Sequence, residues 1–113
     1  MLDKFKYILQ RKLNRDLTPW EINYDEFKER MQNGAIVLDV RSVQEYKEGH
    51  LEEAINLPYY EIPPIIEKQI PNKETEILTY CQNGARSKKA CTMLKKRGYS
   101  NIYNLYGGLD SII

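Results

Sequence analysis

The chain has 113 residues, enough for one compact domain and too few for two independent cores. Its 17 basic and 16 acidic side chains give a net charge of +1, so the composition gives no reason to expect a nucleic-acid partner. No apolar run approaches the roughly 20 residues that span a bilayer. Residues 1–12 also lack the apolar block of a secretory signal. We therefore expect a cytoplasmic protein without a membrane span.

The two cysteines, Cys81 and Cys91, are too few for a disulfide scaffold. A structural zinc site would need four ligands at characteristic spacing, so we expect no metal and no cofactor. In a reducing compartment, a cysteine beside a cationic loop is a candidate for reactivity, which applies to Cys81. Cys91 lies on the predicted apolar stripe of a helix, where cysteine acts as a small hydrophobe; a redox role is the alternative.

Residues 1–18 are predicted to form an amphipathic helix ahead of a main domain at residues 19–113. Basic residues surround the apolar positions until Thr18-Pro19 stops the pattern, and those apolar positions are Leu2, Phe5, Leu9 and Leu13. The plainer interpretation is a helix docked on its own domain with a solvated basic face. The alternative is a basic face that binds an acidic membrane or a partner protein.

From Trp20 onward, short apolar runs alternate with capped helical segments, which predicts an α/β architecture. We expect strands at 20–22, 35–40, 54–57, 76–80 and 101–105. We expect helices at 23–31, 42–49 and 63–70, and a last one that ends at Gly98. Asn23 with Glu26, and Ser42 with Glu45, have the spacing of capping boxes.

The segment CQNGARS, residues 81–87, joins a predicted buried strand to a predicted helix. Ligands of α/β sheets bind beyond the carboxyl ends of the strands, and a loop that enters a helix there can turn its backbone N–H groups toward an anion. For Cys81, the first such anion is its own thiolate. The expected binding loop consists of Gln82, Asn83, Gly84, Ala85, Arg86 and Ser87. Gly84 allows backbone angles that a tight loop requires.

Lys88 and Lys89 occupy the first turns of the last helix, where the helix dipole would favour acidic residues. They form a possible positive rim beside Cys81, which indicates an anionic substrate or an acidic partner surface. The alternative is two solvated lysines on an exposed face.

The chain resembles single-domain rhodaneses, a family of sulfurtransferases. The matching segments are LDVRSVQEYKEGHLEEAINLP, residues 38–58, and ILTYCQNGARSKKACTMLKKRGYSNIYNLYGG, residues 77–108. Cys-x-x-Gly-x-Arg-Ser between a strand and a helix is the most specific piece. The resemblance implies a three-layer α/β/α domain around a mainly parallel five-stranded sheet, with Cys81 as the catalytic residue.

By this resemblance, Cys81 takes a sulfane sulfur from a small anion such as thiosulfate, or from a persulfide, and forms its own persulfide. The acceptor would be cyanide in vitro and a thiol or protein cysteine in the cell. The N–H groups of residues 82–87 would hold the persulfide, and Arg86 would hold the loop and orient the anion. The sequence does not indicate the physiological donor, the acceptor or the oligomeric state.

The resemblance also implies supporting residues around the cysteine. Asp39 and Arg41 are expected to pair with each other or with neighbouring loops, behind the groups that touch the substrate. His50 is expected to make a structural hydrogen bond. Four tyrosines are candidates for the pocket wall, with packing as the default role: Tyr59, Tyr60, Tyr80 and Tyr106. The segment after Gly108 lacks the tryptophan-containing helix usual in the family, so a short or absent terminal helix is expected.

Three other functions remain open at this point. Phosphatases and arsenate reductases place the arginine six positions after the cysteine, whereas Arg86 is five positions after Cys81; this disfavours them. A non-catalytic binding module would have no need for a thiolate cradle. A sulfur-relay protein that takes its sulfur from a protein donor fits the sequence as well as a thiosulfate enzyme does, with the positive rim and the N-terminal helix as the docking surface.

Overall fold

The computed structural model describes residues 18–112, so the predicted N-terminal helix lies almost wholly outside the described residues. Residues 18–112 form five strands, four α-helices and two 3-10 helices. In chain order these are β1 Glu21–Ile22, α1 Tyr24–Gln32, β2 Ile36–Asp39, α2 Val43–Glu48, β3 Ile55–Asn56, a 3-10 helix Tyr59–Glu61, α3 Ile62–Gln69, β4 Ile77–Tyr80, α4 Ala85–Lys96, β5 Ile102–Leu105 and a 3-10 helix Gly108–Ile112.

The five strands form one sheet in the order β1-β5-β4-β2-β3, and every pairing is parallel. This confirms the predicted five-stranded, mainly parallel sheet. Strand β4 lies at the centre, with Asp39 of β2 paired to Tyr80 and Thr79 paired to Asn104 of β5. The carboxyl end of β4, where Cys81 follows, is therefore flanked by the ends of two neighbouring strands. Strand β3 is shorter than the predicted 54–57, since it is an edge strand and the Ile55 side chain is 49% exposed.

Two apolar clusters cover opposite faces of the sheet and confirm the three-layer arrangement. Successive side chains of a strand point to opposite faces, so Ile77 packs with α3 and α4 while Leu78 packs with α1. Tyr80 follows Leu78 into the α1 layer, and Cys81 follows Ile77 into the α3 and α4 layer. The strand alternation thus separates Cys81 from the side chain before it.

The caps explain where two of the helices begin. Ser42 and Glu45 form the predicted capping box at α2, with each side chain bonded to the backbone N–H of the other residue. At α1, only the first half of the predicted box is present. Asn23 accepts the Glu26 N–H at 2.9 Å, but the Glu26 carboxylate binds Arg30 one turn later. Helix α3 begins at Ile62, one residue before the predicted Pro63.

The short 3-10 helix Gly108–Ile112 agrees with the expectation of a short terminal helix. No helix in residues 18–112 is both long and apolar enough to cross a membrane. Within the same residues, no group of three or more His, Cys, Asp and Glu side chains is arranged to hold a metal ion.

Candidate active site

Cys81 lies directly after β4 and is fully buried at the base of the loop that leads into α4. Its Sγ atom accepts hydrogen bonds from the backbone N–H of Gly84 at 3.1 Å and of Ser87 at 3.4 Å. The Ser87 Oγ atom also lies 3.4 Å from Sγ. Three polar groups therefore surround the sulfur, and two of them are N–H donors that favour a negative charge there.

The remaining loop amides do not all turn toward the sulfur. The Ala85 N–H donates to Asn83 Oδ1 at 3.0 Å, which closes a local turn at the start of α4. Fewer loop residues than predicted therefore donate to the sulfur. Of residues 82–87, Gly84 and Ser87 supply the described N–H contacts to Sγ.

A second segment, residues 107–110, holds the backbone of the cysteine loop. The carbonyl of Cys81 accepts the Leu109 N–H at 3.0 Å, and the carbonyl of Gln82 accepts the Asp110 N–H at 2.9 Å. The approach is so close that a Cβ atom on Gly108 would lie 2.5 Å from the Cys81 carbonyl oxygen. Gly84 has φ of +96°, and a Cβ atom there would lie 3.2 Å from the Gly107 nitrogen. Two glycines thus allow the two segments to touch.

Gln82 connects the same terminal segment to the other side of the site. Its Nε2 atom donates to Asp110 Oδ1 at 2.7 Å, and its Oε1 atom accepts a long hydrogen bond from Arg41 at 3.4 Å. The amide is therefore held from both sides, which fixes its orientation beside Cys81.

Arg86 makes a two-point ion pair with Glu45 of α2, with N···O distances of 2.6 and 2.9 Å. The hydrogen bond from Arg86 is the main reason that the pKa of Glu45 is lowered to about 2. We expected the Arg86 fork to orient an anion, but the structure directs both of its terminal nitrogens to Glu45. Arg86 therefore anchors the loop to α2 by charge-assisted hydrogen bonds.

Asp39 and Arg41 pair as predicted, at the end of β2 next to Cys81. The Arg41 Nη2 atom lies 2.7 Å from Asp39 Oδ2, and both side chains are almost fully buried. Asp39 also accepts the Tyr80 hydroxyl at 2.7 Å, and the Tyr80 oxygen accepts the Leu51 N–H at 3.0 Å. Burial, and next the bond to Asp39, raise the pKa of the Tyr80 phenol. The network joins β2, β4 and the loop before β3.

Most of the chain matches one known family of domains. A sequence profile of the Rhodanese-like domain matches residues 23–113. The chain belongs to this family. A curated sulfurtransferase of Allochromatium vinosum is 34% identical over 91 residues, which are 79% of this chain and 83% of that protein. This relative supports a transferase function for the rhodanese-like domain.

Two further similarities extend the comparison. A tRNA uridine(34) hydroxylase of Onion yellows phytoplasma is 36% identical over 106 residues, or 87% of this chain. The match spans only 34% of that hydroxylase, and hydroxylases of this name from several other bacteria are matched over less than a quarter of their length. The structure of a human single-domain sulfurtransferase, TSTD1, superposes with a TM-score of 0.73 at 24% identity, covering 84% of this chain and 96% of that one, which shows the fold.

Within residues 18–112, the other candidates from the sequence make no hydrogen bond to the Cys81 sulfur. Lys88 and Lys89 are both exposed on α4, and Lys88 Nζ lies 4.0 Å from the buried Glu21 carboxylate.

Cys91 is buried with its Sγ atom 3.1 Å from Thr79 Oγ1, and burial raises the pKa of its thiol to about 12. His50 lies on the surface, where its Nδ1 atom is 2.9 Å from the Leu51 carbonyl and its ring stacks on Tyr46.

The four tyrosines proposed for the pocket wall have different positions. Tyr80 is buried on the opposite face of the sheet from Cys81, so it has the default packing role and does not line the pocket. Tyr59 packs on the Cys81 side of the core, and Tyr60 is 60% exposed. Tyr106 lines an open pocket of about 270 Å³ together with Asn83 and Gly84.

Sequence reasoning missed three contributors to the site. Glu45 stood out only as a helix cap, although it also binds Arg86. Asp110 carried no signal, because its contact with Gln82 joins positions 28 apart in the chain. Gly108 is the second glycine of the pair Gly107-Gly108 that follows β5, and a pair of glycines after a strand is the one signal that a close backbone approach would leave.

Proposed function

We propose that the rhodanese-like domain transfers sulfane sulfur through a persulfide on Cys81. The Sγ thiolate attacks the outer sulfur of a donor, either thiosulfate or a persulfide. The donor S–S bond breaks, its electron pair leaves with sulfite or a thiolate, and a new S–S bond forms at Cys81. An acceptor thiolate or cyanide then attacks the outer sulfur of the Cys81 persulfide, takes it away and regenerates the Cys81 thiolate.

The observation that carries this proposal is the surroundings of the Cys81 sulfur. The attacking thiolate carries its negative charge on Sγ, and the Gly84 and Ser87 N–H groups donate toward that atom. The Ser87 hydroxyl is within reach of the sulfur as a third group. No proton has to move during either attack, so the mechanism requires no general base beside Cys81.

The family and the curated relative support a transferase at this site. The ion pair of Arg86 with Glu45 adds an argument against phosphate-ester hydrolysis. A phosphate would need free cationic donors, and both terminal nitrogens of Arg86 already bind a carboxylate. A phosphatase assay with a generic aryl phosphate should therefore give no turnover that depends on Cys81.

Intact-mass spectrometry of the full chain tests the proposal. After incubation with thiosulfate, or separately with glutathione persulfide, the mass should rise by one sulfur, and cyanide or a reductant should remove the gain. Cys81→Ser should show no gain and no thiocyanate formation, while Cys91→Ala should show both. A full gain in Cys81→Ser would overturn the assignment. No gain with any donor would instead favour the non-catalytic binding module.

A further inference from the structure

The exposed side of α4 carries an unusual concentration of positive charge. The helix contains five basic and no acidic side chains in 12 residues, and the basic ones are Arg86, Lys88, Lys89, Lys95 and Lys96. The four lysines are exposed, and they recur at the spacing of one side of a helix. Positions 88 to 96 span about 12 Å along the axis. This lysine face, defined as Lys88, Lys89, Lys95 and Lys96, begins directly after Ser87, the last residue of the Cys81 loop.

Contacts within the domain do not account for this lysine face. Among residues 18–112, no carboxylate lies within 4.0 Å of Lys89, Lys95 or Lys96, and Lys88 reaches Glu21 only at 4.0 Å. Lys95 contacts the Trp20 ring at 4.3 Å, and this aromatic contact does not neutralise its charge. Lys88 and Lys89 also oppose the helix dipole, because they stand near the N-terminus of α4. The pair therefore lowers local stability slightly.

The neighbouring helix does not offset the charge either. Glu67 of α3, which packs against α4, is bound by both Arg97 and Lys73 at 2.9 and 2.8 Å. Its negative charge is thus already matched by two cations of the same surface. The acidic side chains of α1 lie in the layer on the other side of the sheet. The exposed side of α4 therefore presents positive charge directly after the cysteine loop.

We infer that the lysine face is the docking surface for an acidic segment of a partner protein that delivers sulfur to Cys81 or takes it away. This inference rests on the proposed sulfur transfer and names its partner class. Charge complementarity selects an acidic surface, and the position next to the loop brings a partner thiol toward Cys81.

A protein fits this surface better than RNA does, since the guanidinium groups of both nearby arginines are occupied, Arg86 by Glu45 and Arg97 by Glu67. Helix α4 also contains no aromatic ring on which a base could stack.

A binding experiment tests the surface without requiring any sulfur chemistry. Fluorescence anisotropy of a labelled oligoglutamate peptide is measured against the full chain, with an oligoglutamine peptide of equal length as the control. We expect the glutamate peptide to bind and the glutamine peptide not to bind. The affinity should fall by about 10-fold or more in the double variant Lys89→Glu/Lys96→Glu, and also when salt rises from about 20 to about 150 mM.

The matched control reverses two charges on the other side of the sheet. Lys28→Glu/Lys47→Glu changes the net charge equally, on α1 and α2, which pack through Phe27 and Tyr46 into the opposite layer. Binding should stay within about 2-fold of the unmodified chain. Equal weakening by both double variants would overturn the docking surface, since it would reflect net charge alone. The same anisotropy measurement with bulk tRNA gives a further test. If tRNA bound more tightly than the glutamate peptide, and if this binding depended on Lys89 and Lys96, the protein docking surface would be overturned in favour of RNA.

A transfer experiment separates this inference from the proposed function. Cys81 persulfide, prepared with thiosulfate and verified by intact mass, is mixed with a glutamate peptide that ends in cysteine, or with free cysteine. Lys89→Glu/Lys96→Glu should slow transfer to the peptide by about 10-fold and leave transfer to free cysteine unchanged. Equal slowing with both acceptors would overturn the docking role. Failure to form the persulfide would count against the proposed function, while the binding result would still decide the surface.

Discussion

Arg86 and Glu45 lie 41 positions apart in the chain and meet in a two-point ion pair with N···O distances of 2.6 and 2.9 Å. The same Glu45 carboxylate accepts the backbone N–H and the hydroxyl of Ser42. One side chain therefore closes the N-terminus of α2 and anchors the cysteine loop. The position of the loop and the start of α2 are coupled through this carboxylate.

Glu45→Gln should separate the two roles of this side chain. Glutamine still caps α2, because its side-chain oxygen can accept the Ser42 N–H, but it cannot form a charged pair with Arg86. We expect a loss of about 0.5–1 kcal/mol in the free energy of unfolding. Sulfur transfer should fall several-fold as the loop loses its anchor. The control is Glu48→Gln in the same helix, since Glu48 is exposed and makes no ion pair within residues 18–112. Equal transfer rates for both variants would contradict the anchoring role.

The pH dependence of stability gives a second test of the same pair. Because Arg86 lowers the pKa of Glu45 from 4.5 to about 2, the folded state binds the proton more weakly than the unfolded state does. The stabilisation is therefore fully present above pH 4.5 and is lost as the pH falls toward about 2. Glu67 also has a lowered pKa, so the quantity to follow is the difference between the unmodified chain and Glu45→Gln. That difference should shrink between pH 4.5 and 2 in urea unfolding; a constant difference would contradict the assigned pKa.

Tyr80→Phe should affect both stability and transfer. Loss of the hydroxyl leaves a buried Asp39 oxygen and the Leu51 N–H without this partner, at a cost of about 1–2 kcal/mol. Because Asp39 pairs with Arg41, which contacts Gln82 of the loop, transfer should also fall a few-fold. Tyr99→Phe is the control, since its buried hydroxyl bonds the Ile70 carbonyl away from the loop. Tyr99→Phe should lose a similar free energy of unfolding and keep its transfer activity per folded molecule. A transfer defect in Tyr99→Phe as large as that of Tyr80→Phe would count against a role of the Tyr80–Asp39–Arg41 network in transfer.

Gly108→Ala should displace the cysteine loop. The new Cβ atom would lie 2.5 Å from the Cys81 carbonyl oxygen and 2.6 Å from the Gln82 carbonyl oxygen, both of which are backbone atoms. We expect a loss of about 1–3 kcal/mol in stability, and a fall of about 10-fold or more in transfer. Gly34→Ala is a matched control because Gly34 also has positive φ, +99°, but a Cβ atom there meets nothing within 4 Å. Thermal unfolding and thiocyanate assays on both variants distinguish backbone strain from the specific contact.

Cys91→Ala should keep full transfer activity and lose about 1 kcal/mol of stability, because it leaves a small void beside Thr79. Burial raises the pKa of the Cys91 thiol from 9.0 to about 12, so the folded state holds this proton more tightly than the unfolded state does. The corresponding stabilisation is present below pH 9.0 and is lost as the pH rises toward about 12. The stability difference between the unmodified chain and Cys91→Ala should therefore decrease above pH 9.0. A large loss of transfer in Cys91→Ala would reveal a redox role.

The fold was largely predictable because its signals are local. The apolar run before Asp39 and the run before Cys81 have the length and composition of buried parallel strands, and both are central strands of the sheet. The Ser42 cap and the glycines after α2 and α4 marked helix ends to within a few residues. The shortness of β3 was not predictable, because its length depends on having a neighbour on one side only.

The site was predictable in its centre and less so around it. Cys81 and Gly84 lie in one short loop, so spacing alone places them together, and Asp39 with Arg41 is likewise a local pair. The partner of Arg86 was not predictable, because nothing in a single sequence relates Glu45 to a residue 41 positions away. The orientation of an arginine fork depends on which carboxylate the fold brings near it, and that information is tertiary.

The single hydroxyl proton of Ser87 links the ionisation of Cys81 to the first turn of α4. In the thiol state, the Ser87 hydroxyl donates to the Gly84 carbonyl at 3.2 Å and is itself 3.4 Å from the sulfur, which can donate to it. Once the sulfur is negative, the hydroxyl can stabilise that charge only by rotating away from the carbonyl, which then retains the Lys88 N–H at 3.1 Å. Formation of the thiolate that attacks the donor would thus exchange one hydrogen bond inside the helix for one to the reacting atom, with no movement of the backbone.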